Sequence, residues 1–380
     1  MNSNTDKITE ITYFRRILHQ YPELSGNEKK TSQQIKDYIQ RFNPDKIIEN
    51  VGGYGLLVVF EGKKHGKTVM FRADMDALPI QEESNIPYKS KNINIAHLCG
   101  HDGHIAILAN TIRMFSEDRP HKGTAVFLFQ PAEETGEGAI KVLSDNNFII
   151  PDYIFGIHNI PGFAENQILL KSGAFAAASK GMIIKLFGKT SHASEPEKGI
   201  SPALAMAELI TFFDSLNANK ATFNDMVLTT VVHARLGDIA FGTSPGYAEV
   251  MITLRAFSDN DMEWLIRNST EKIHEITSEH RIDYNIHFVE EFPSTENNPE
   301  CIEMLISVAK NNNSNLFLLE KPFKWSEDFG HYTKNIPGAL IGIGSGIDQP
   351  NLHNPDFDFP DTIIQDAGQY LYTIYKFINE

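Results

Sequence analysis

The sequence predicts an α/β fold in which a mostly parallel central sheet is flanked by helices and carries an inserted, smaller α+β domain. Continuous apolar runs of strand length alternate with helical patterns in the first half of the chain, as in sheets covered on both faces. The middle segment follows a different order of strands and helices. At 380 residues the chain also exceeds the size at which one hydrophobic core usually keeps growing. Two domains are therefore expected.

Four apolar runs define the predicted central sheet. They indicate buried strands because apolar residues follow one another with little polar alternation. The runs are residues 68–73, 125–130, 153–158 and 339–344. Between the first two, the stretch from His104 to Phe115 carries apolar residues at helical spacing, which predicts a crossover helix.

The middle segment predicts strand, helix, strand, strand, helix and strand, which is the order of a split-βαβ, ferredoxin-like layer. These elements are residues 182–187, 201–216, 227–234, 248–256, 259–280 and 282–290. Leu209, Phe212, Phe213 and Leu216 form a core-facing stripe on the first helix. We therefore expect residues 1–180 and 291–380 to form one discontinuous domain, into which residues 181–290 are inserted.

Composition limits the partners and the compartment. The formal net charge of −15 argues against nucleic acid or an anionic membrane as a partner. Two cysteines cannot build a disulfide framework, which favours a reducing compartment. The first residues lack the layout of a signal peptide, and no apolar stretch approaches the length of a membrane span. We expect a cytoplasmic protein.

Residues 97–104, with the sequence HLCGHDGH, concentrate metal-binding side chains. They hold three of the fourteen histidines and one of the two cysteines of the chain. Cysteine, histidine and aspartate all bind borderline transition metals when deprotonated. A zinc finger would need a second pair of Cys or His at short spacing, but Cys301 stands alone. The remaining ligands must come from distant segments, as is usual for catalytic sites.

Polar side chains also follow or end the four predicted strands. Asp74 and Asp76 follow the first, and Glu133 and Glu134 follow the second. The third ends at His158, and the loop after the fourth runs to His353. Sites in open α/β sheets form outside the carboxyl ends of the strands. We therefore expect these side chains and the 97–104 cluster to meet at one edge of the sheet.

At these residues the chain resembles the co-catalytic metal amidohydrolases related to aminoacylases, hippurate hydrolases and plant auxin-conjugate hydrolases. The resemblance covers nearly the whole chain, and the motifs occur in the order expected of that family. The motifs are LHQYPELSGNE (18–28), RADMDALP (72–79), HLCGHDGH (97–104), FQPAEE (129–134), GIH (156–158), SEDF (326–329) and LHNP (352–355). The resemblance implies a dimetal exopeptidase-like catalytic domain and an inserted lid and dimerisation domain.

The resemblance further implies two divalent ions, held by Cys99, His101, Glu134, His158 and His353. Cys99 stands where better-known dizinc relatives have a bridging carboxylate. This donor mixture is compatible with Zn²⁺ or Mn²⁺, and also with Co²⁺ or Ni²⁺. In the implied mechanism, a hydroxide between the ions is the nucleophile.

Two further catalytic roles are implied. Glu133 matches the general base of the family, which takes a proton from the attacking water and delivers it to the leaving amine. His192, in the motif GKTSHAS (188–194), matches a lid histidine that stabilises the oxyanion and comes from the partner subunit in dimers. The resemblance therefore also implies a homodimer formed through the inserted domain.

Other polar residues have two interpretations each. Asp74, Asp76 and Asp102 are candidates for carboxylates that orient the ligating histidines, or are loop-capping residues. Arg255 is a candidate for bidentate binding of a substrate carboxylate, or is a surface arginine of a strand. His19 and the remaining histidines have no supporting pattern, and we expect them at the surface or in packing roles.

Three functions are considered. The first is a metal-dependent hydrolase that cleaves the amide bond between an acyl group, such as acetyl, and an amino acid. The second is a metallo-exopeptidase that acts on dipeptides or short peptides, because the same dimetal chemistry serves both. The third is a non-catalytic metal-binding protein. The presence of Glu133 argues against the third, because binding a metal does not require an unligated base.

Overall fold

The computed structural model describes residues 4–217, 223 and 225–380. The helices of these residues are α1 (Asn4–Gln20), α2 (Lys29–Ile39), α3 (His101–Glu117), α4 (Gly138–Leu143), α5 (Ala203–Leu216), α6 (Asp259–Glu279), α7 (Pro299–Asn311), α8 (Gly330–Thr333) and α9 (Ile364–Asn379). The strands are β1 (Lys46–Val51), β2 (Gly55–Glu61), β3 (Lys64–Asp74), β4 (Lys122–Gln130), β5 (Tyr153–Ile160), β6 (Ile168–Leu170), β7 (Gly173–Ala176), β8 (Ala178–Phe187), β9 (Ser191–His192), β10 (Val227–Leu236), β11 (Thr243–Ser244), β12 (Tyr247–Ala256), β13 (Asp283–Phe292), β14 (Thr295–Asn297), β15 (Leu316–Leu318) and β16 (Gly338–Gly344).

The chain divides into two compact units. The first unit comprises the residues up to Phe175, Thr295–Lys321 and Asp328–Glu380. The second comprises Ala176–Ser294 and the short segment Pro322–Glu327. Within the part of the chain that the structure describes, no helix combines the length and apolar character needed to cross a membrane.

The first unit is built on an eight-stranded sheet in the order β1-β2-β4-β3-β5-β16-β6-β15. Its centre is parallel: β3 pairs with both β4 and β5, and β5 pairs with β16. Towards the edges the pairing is antiparallel: β2 pairs antiparallel with both β1 and β4, and β6 pairs antiparallel with β16. The four apolar runs predicted as strands are therefore the four neighbours at the centre of the sheet. This outcome confirms the predicted mostly parallel α/β fold.

The central strands are buried because helices cover the sheet. α3 is buried along most of its length, and Asn110 and Thr111 donate hydrogen bonds to the backbone carbonyls of Ile364 and Gly368 in α9. Aromatic rings fill the space between this helix and the sheet, with Phe115 packing edge-to-face on Phe127. Because the central strands are buried between packed helices, the side chains at their ends project from a well-packed core.

The second unit contains a four-stranded antiparallel sheet in the order β10-β12-β8-β13. Along the chain its main elements run β8, α5, β10, β12, α6, β13, which is the βαββαβ order predicted from the sequence. Leu209, Phe213 and Leu216 of α5 are buried in its core, whereas Phe212 is only partly buried. Ser258 caps α6 by accepting a hydrogen bond from the backbone N–H of Asp261.

Candidate metal centre

Four segments of the first unit meet at the carboxyl ends of its central strands. β4 ends at Gln130, and Glu133 and Glu134 follow in the next turn. His158 lies inside β5, which continues two residues past the predicted end, to Ile160. α3 begins at His101, two residues after Cys99. His353 lies in the loop after β16. The convergence at one sheet edge that the sequence predicted is therefore present.

The ligand-type atoms of these residues form overlapping triads. Within each triad the atoms lie within 4.8 Å of one another. The triads are Cys99, His101 and His158; Cys99, Glu134 and His353; and His101, Glu133 and Glu134. Cys99 Sγ lies 3.6 Å from His158 Nε2, and Glu134 Oε1 lies 3.7 Å from Nε2 of both His101 and His353. Because Cys99 belongs to two triads, its sulfur lies between two groups of donors.

The histidine tautomers are set by hydrogen bonds on the far side of each ring. Nδ1 of His101 lies 3.0 Å from the backbone carbonyl of Asp76, and Nδ1 of His158 lies 2.9 Å from that of Asn159. A carbonyl oxygen only accepts, so each Nδ1 carries the proton when the ring is neutral. Each Nε2 then presents a lone pair to the cluster, as a metal ligand requires.

The donor set fits a transition-metal ion. His101 Nε2 is buried and has no hydrogen-bond partner among the described residues, although two carboxylates lie within 4 Å. Thiolate, imidazole and carboxylate donors together suit a borderline divalent cation better than Mg²⁺ or Ca²⁺. Burial raises the pKa of the Cys99 thiol, and a bound divalent ion would reverse this shift because it stabilises the thiolate. The residues present therefore fit the implied metal.

Asp74 and Asp76 contact the histidines around the cluster. Asp76 Oδ1 lies 3.3 Å from His101 Nδ1, and its Oδ2 accepts a hydrogen bond from the backbone N–H of Glu134 at 2.9 Å. Asp74 Oδ1 lies 2.6 Å from His104 Nδ1. Burial would raise the pKa of Asp74, but His101, His104 and Arg72 hold it well below its usual range. Both carboxylates are therefore placed to orient rings.

Asp102 has different partners from those predicted. Its Oδ2 accepts from Arg15 Nη1 at 3.2 Å and lies 2.9 Å from His19 Nδ1. The histidine that Asp102 orients is thus His19, which is fully buried and for which the sequence suggested no role. His19 is the second residue of the motif LHQYPELSGNE, which places it in the family pattern without indicating its partner.

Glu133 is held by the segment after β15. Its Oε1 accepts a hydrogen bond from the backbone N–H of Asp328 at 3.3 Å, and its Oε2 lies 3.9 Å from His101 Nε2. Asp328 is itself fixed by Arg72, whose Nη2 donates to its Oδ1 at 2.8 Å. Sequence reasoning did not single out this buried Arg72–Asp328 pair behind Glu133, although both residues stand in the motifs RADMDALP and SEDF.

His192 and Arg255 belong to the second unit. His192 is exposed on β9, and its Nδ1 lies 2.7 Å from the hydroxyl of Ser194. Arg255 lies on β12 and donates from Nη1 to the carbonyl of Lys324 and to Ser326 Oγ, both at 2.9 Å. Burial lowers the pKa of Arg255. The guanidinium is thus anchored at one nitrogen.

A central α/β sheet whose strand ends gather Cys, His and Glu side chains of ligand type is typical of metal-dependent hydrolases. The chain belongs to peptidase family M20/M25/M40, whose sequence model matches residues 70–376. This membership confirms the resemblance stated from the motifs and identifies the chain as a hydrolase.

Curated relatives match the chain nearly end to end. The hippurate hydrolase of Campylobacter jejuni is 31% identical, covering 95% of this chain and 94% of its own. The N-acetyldiaminopimelate deacetylase of Lactobacillus helveticus is 30% identical, covering 92% and 93%. The N-acetyl-L-cysteine deacetylase of Bacillus subtilis is 30% identical, covering 96% and 86%.

Solved structures share the fold. A crystal structure of a dinuclear metal-binding peptidase of the M20 family from Bacillus subtilis has a TM-score of 0.83 and 26% identity, with 98% of both chains covered. A protein from methicillin-resistant Staphylococcus aureus has a TM-score of 0.89 over 98% of this chain and 97% of its own. At 24% identity, the second match concerns the fold alone.

Proposed function

We propose that this protein is a metal-dependent amidohydrolase that releases an amino acid from its N-acyl conjugate, with N-acetyl amino acids as the first substrate class to test. The observation that carries the proposal is the meeting of Cys99, His101, Glu134, His158 and His353 beside Glu133. Relatives named as hippurate hydrolase and N-acetyl amino acid deacetylases support this choice of substrate.

In this proposal the five donor residues would hold two divalent ions, and Cys99 is the residue common to two of the triads. Zn²⁺ and Mn²⁺ are the first candidates, and Co²⁺ and Ni²⁺ suit the same donors. When bound, such ions supply Lewis acidity, which activates water and polarises the scissile carbonyl. Cys99 is buried, so its thiolate is shielded from solvent and from exchange with other thiols.

Glu133 is the proposed general base. Its carboxylate is nearly buried and is oriented by the backbone N–H of Asp328, so one oxygen is fixed while the other faces His101. There it takes the proton of the attacking water and passes it to the nitrogen of the leaving amine. This proton transfer contributes a rate factor of about 10²–10⁴.

The second unit supplies two more groups in the proposal. His192 donates a hydrogen bond to the oxyanion that develops on the carbonyl, and in a homodimer it serves the partner's site. Arg255 binds the carboxylate of the amino acid through its remaining N–H groups, because Nη1 is already anchored to Lys324 and Ser326. We further propose a cytoplasmic location, which the two free, buried cysteines support.

A substrate screen tests the proposal. Protein stripped with chelator and reloaded separately with Zn²⁺ or Mn²⁺ is assayed on N-acetyl amino acids, N-benzoylglycine and dipeptides. We expect no turnover without metal and a higher kcat/KM for N-acyl amino acids than for dipeptides. A preference for dipeptides would instead favour the exopeptidase, which the M20 peptidase of known structure supports. Absence of turnover on every substrate at full metal loading would favour a non-catalytic metal-binding protein.

The variant Glu133→Gln tests the base. Glutamine keeps the acceptor that faces Asp328 but does not accept the proton, so we expect kcat to fall by about 10²–10⁴-fold. Metal content, measured by inductively coupled plasma mass spectrometry, should stay that of the wild type because Glu133 is not a ligand. Glu137→Gln, an exposed position paired with Lys141, is the matched control and should keep full activity. Undiminished turnover by Glu133→Gln would refute the mechanism.

A further inference from the structure

The turn that carries Glu133 and Glu134 has an unusual backbone. Ala132, the residue before Glu133, has φ +55°, a left-handed conformation that costs an L-residue about 1–2 kcal/mol. The turn closes with hydrogen bonds from Gly138 N to Ala132 O and from Gly136 N to Glu133 O. The backbone N–H of Ala132 takes no part in these two bonds, so this buried group needs another acceptor.

Glu28, from the loop before α2, supplies that acceptor. Its Oε1 accepts from the backbone N–H of Ala132 at 2.8 Å and from that of Gly26 at 2.8 Å. The Glu28 side chain is completely buried, and its Oε2 has no hydrogen-bond partner among the described residues. Burial raises the pKa of Glu28 to about 7. A buried carboxyl group without a basic partner destabilises a fold. The role of Glu28 therefore follows from the backbone that it binds, and not from a contribution to stability.

The same loop also reaches the next residues of the turn. Ser25 donates from Oγ to Asp76 Oδ2 at 2.6 Å, and the same oxygen accepts the backbone N–H of Glu134 at 2.9 Å. The loop is fixed to the neighbouring segment because Ala77 N donates to Glu23 O at 2.9 Å. Residues 25–28 therefore hold the turn on both sides of Glu133.

We propose that Glu28 is a positioning residue for the general base: its carboxyl oxygen holds the left-handed backbone of Ala132 and thereby sets the direction of the Glu133 side chain. This inference rests on the proposed role of Glu133. Among the described residues, the side-chain hydrogen bonds of Glu28 go to the backbone N–H groups of Gly26 and Ala132 and not to a donor atom of the triads, so we expect its effect on proton transfer. Catalytic geometry is sensitive to such positioning, since a displacement of ~1 Å can cost about 10²-fold in rate.

The variants Glu28→Ala and Glu28→Gln test the proposal in the metal-loaded enzyme. Glu28→Ala removes the acceptor, and we expect kcat to fall about 10- to 100-fold with little change in KM. Glu28→Gln keeps an oxygen for the same two N–H groups, so kcat should stay within about threefold of the wild type. Metal content should be unchanged in both. The proposal would be overturned if the kcat of Glu28→Gln were as low as that of Glu28→Ala. It would also be overturned if Glu28→Ala kept the kcat of the wild type.

Glu23 provides the matched control for general damage to this loop. Its Oε2 accepts from the backbone N–H groups of Lys30 and Thr31 at the start of α2 and does not contact the turn. Glu23→Ala should lower the melting temperature and leave kcat at the wild-type level. If Glu23→Ala lowers kcat as much as Glu28→Ala, the loop acts through stability and the positioning role is refuted.

The double variant Glu28→Ala/Glu133→Gln separates this inference from the mechanism itself. If Glu28 acts through Glu133, the double variant is no slower than Glu133→Gln alone. An additive loss would overturn the positioning role while the base stands. A fully active Glu133→Gln would refute the base, and with it the mechanism. If Glu28→Ala does not fold, Glu28→Asp takes its place; it shortens the reach by one methylene, and the same loss of kcat is expected.

Discussion

A buried charge network joins α1 to the first turn of α3. Arg15 contacts Asp102 at 3.2 Å and Asp361 at 2.8 Å, and His19 contacts Asp102 and, at 3.2 Å, Glu82. Burial alone would lower the pKa of His19, but Asp102 and Glu82 raise it to about 9. At neutral pH His19 is therefore a cation within this network. Breaking one member would leave buried charges uncompensated.

The raised pKa of His19 predicts how the free energy of unfolding changes with pH. Its folded pKa of about 9 lies above the unfolded value of 6.5, so protonated His19 stabilises the fold fully below pH 6.5. That contribution is lost as the pH rises through 9. We expect His19→Gln to destabilise the protein by a few kcal/mol at pH 6 and by much less at pH 9.5. Urea unfolding at both pH values measures this difference.

The exposed residue His65 supplies the control for that experiment. His65→Gln should unfold at the same urea concentration as the wild type at both pH values. An equal loss of stability by His19→Gln at pH 6 and pH 9.5 would show that packing, and not the charge of His19, is what the variant removes.

At the residue scale, the sequence predicted the side chains that share a metal-binding chemistry. Cys99 and His101 stand in a dense cluster of ligand-type residues, and Glu134, His158 and His353 lie at or after predicted strand ends, so each segment carried its own signal. Their roles as ligands stay predictions. Glu28 and His19 belong to the motif LHQYPELSGNE, but the motif did not reveal their partners, because each contacts a backbone or side chain more than eighty positions away in the chain. Such pairings exist only once the sheet is assembled.

At the scale of elements, the start of α3 depends on Gly100. This residue has φ +95°, and a Cβ on it would lie 2.3 Å from Oδ1 of Asn159. Its neighbours on either side are Cys99 and His101. We expect Gly100→Ala to shift both donors, so that metal content falls. We also expect Gly100→Ala to lower the free energy of unfolding by about 2–4 kcal/mol more than an alanine at a left-handed position that has no clash.

Gly162 is the matched control for Gly100. It has φ +83°, but a Cβ there would meet no described atom within 4 Å. Gly162→Ala should therefore show the backbone strain without the clash and should keep its metal. Thermal unfolding and metal analysis of both variants provide the comparison, and equal losses in the two would contradict the role given to Asn159.

The predicted elements are present, but their ends differ by up to four residues: β8 begins at Ala178, and β5 and β10 end at Ile160 and Leu236. β3 begins at Lys64, four residues before the predicted start, because the hydrophilic residues Lys64 to Lys67 lack an apolar signal. Similarly, α3 begins at His101 rather than at His104, since its first turn carries polar residues of the candidate site. The short strands β6 and β15 were not predicted, because three residues are too few for a periodic pattern.

At the scale of the whole molecule, the second unit presents an unpaired strand edge. β10 lies at the end of its sheet and has one neighbour, β12, among the described strands. Most of the second half of β10 is exposed, and Ile239 and Phe241 in the loop after it are fully exposed. Apolar exposure beside an open strand edge favours pairing with another chain. These features support the proposed homodimer through this unit.

Substitution at this surface tests the dimer. We expect the wild type to have twice the chain mass in light scattering and Ile239→Asp/Phe241→Asp to have the mass of a monomer. If His192 serves the partner's site, the monomeric variant should also lose kcat, by about 10-fold or more. Ile150→Asp, which alters an exposed apolar residue of the first unit, should remain dimeric and active. A dimeric double variant would exclude this surface, and a fully active monomer would exclude the role of His192 across subunits.

The position of β16 has a consequence for biosynthesis. β16 lies between β5 and β6 in the central sheet, yet the whole second unit is encoded before it. As the chain leaves the ribosome, the apolar edge of β5 stays unpaired until Gly338–Gly344 is synthesised. The second unit has time to fold during this interval. Late long-range pairing of this kind is slow, because a large chain loop must close first. A nascent chain stopped before Gly338 would therefore expose that edge to other chains, and the arrival of β16 completes the platform on which the catalytic residues stand.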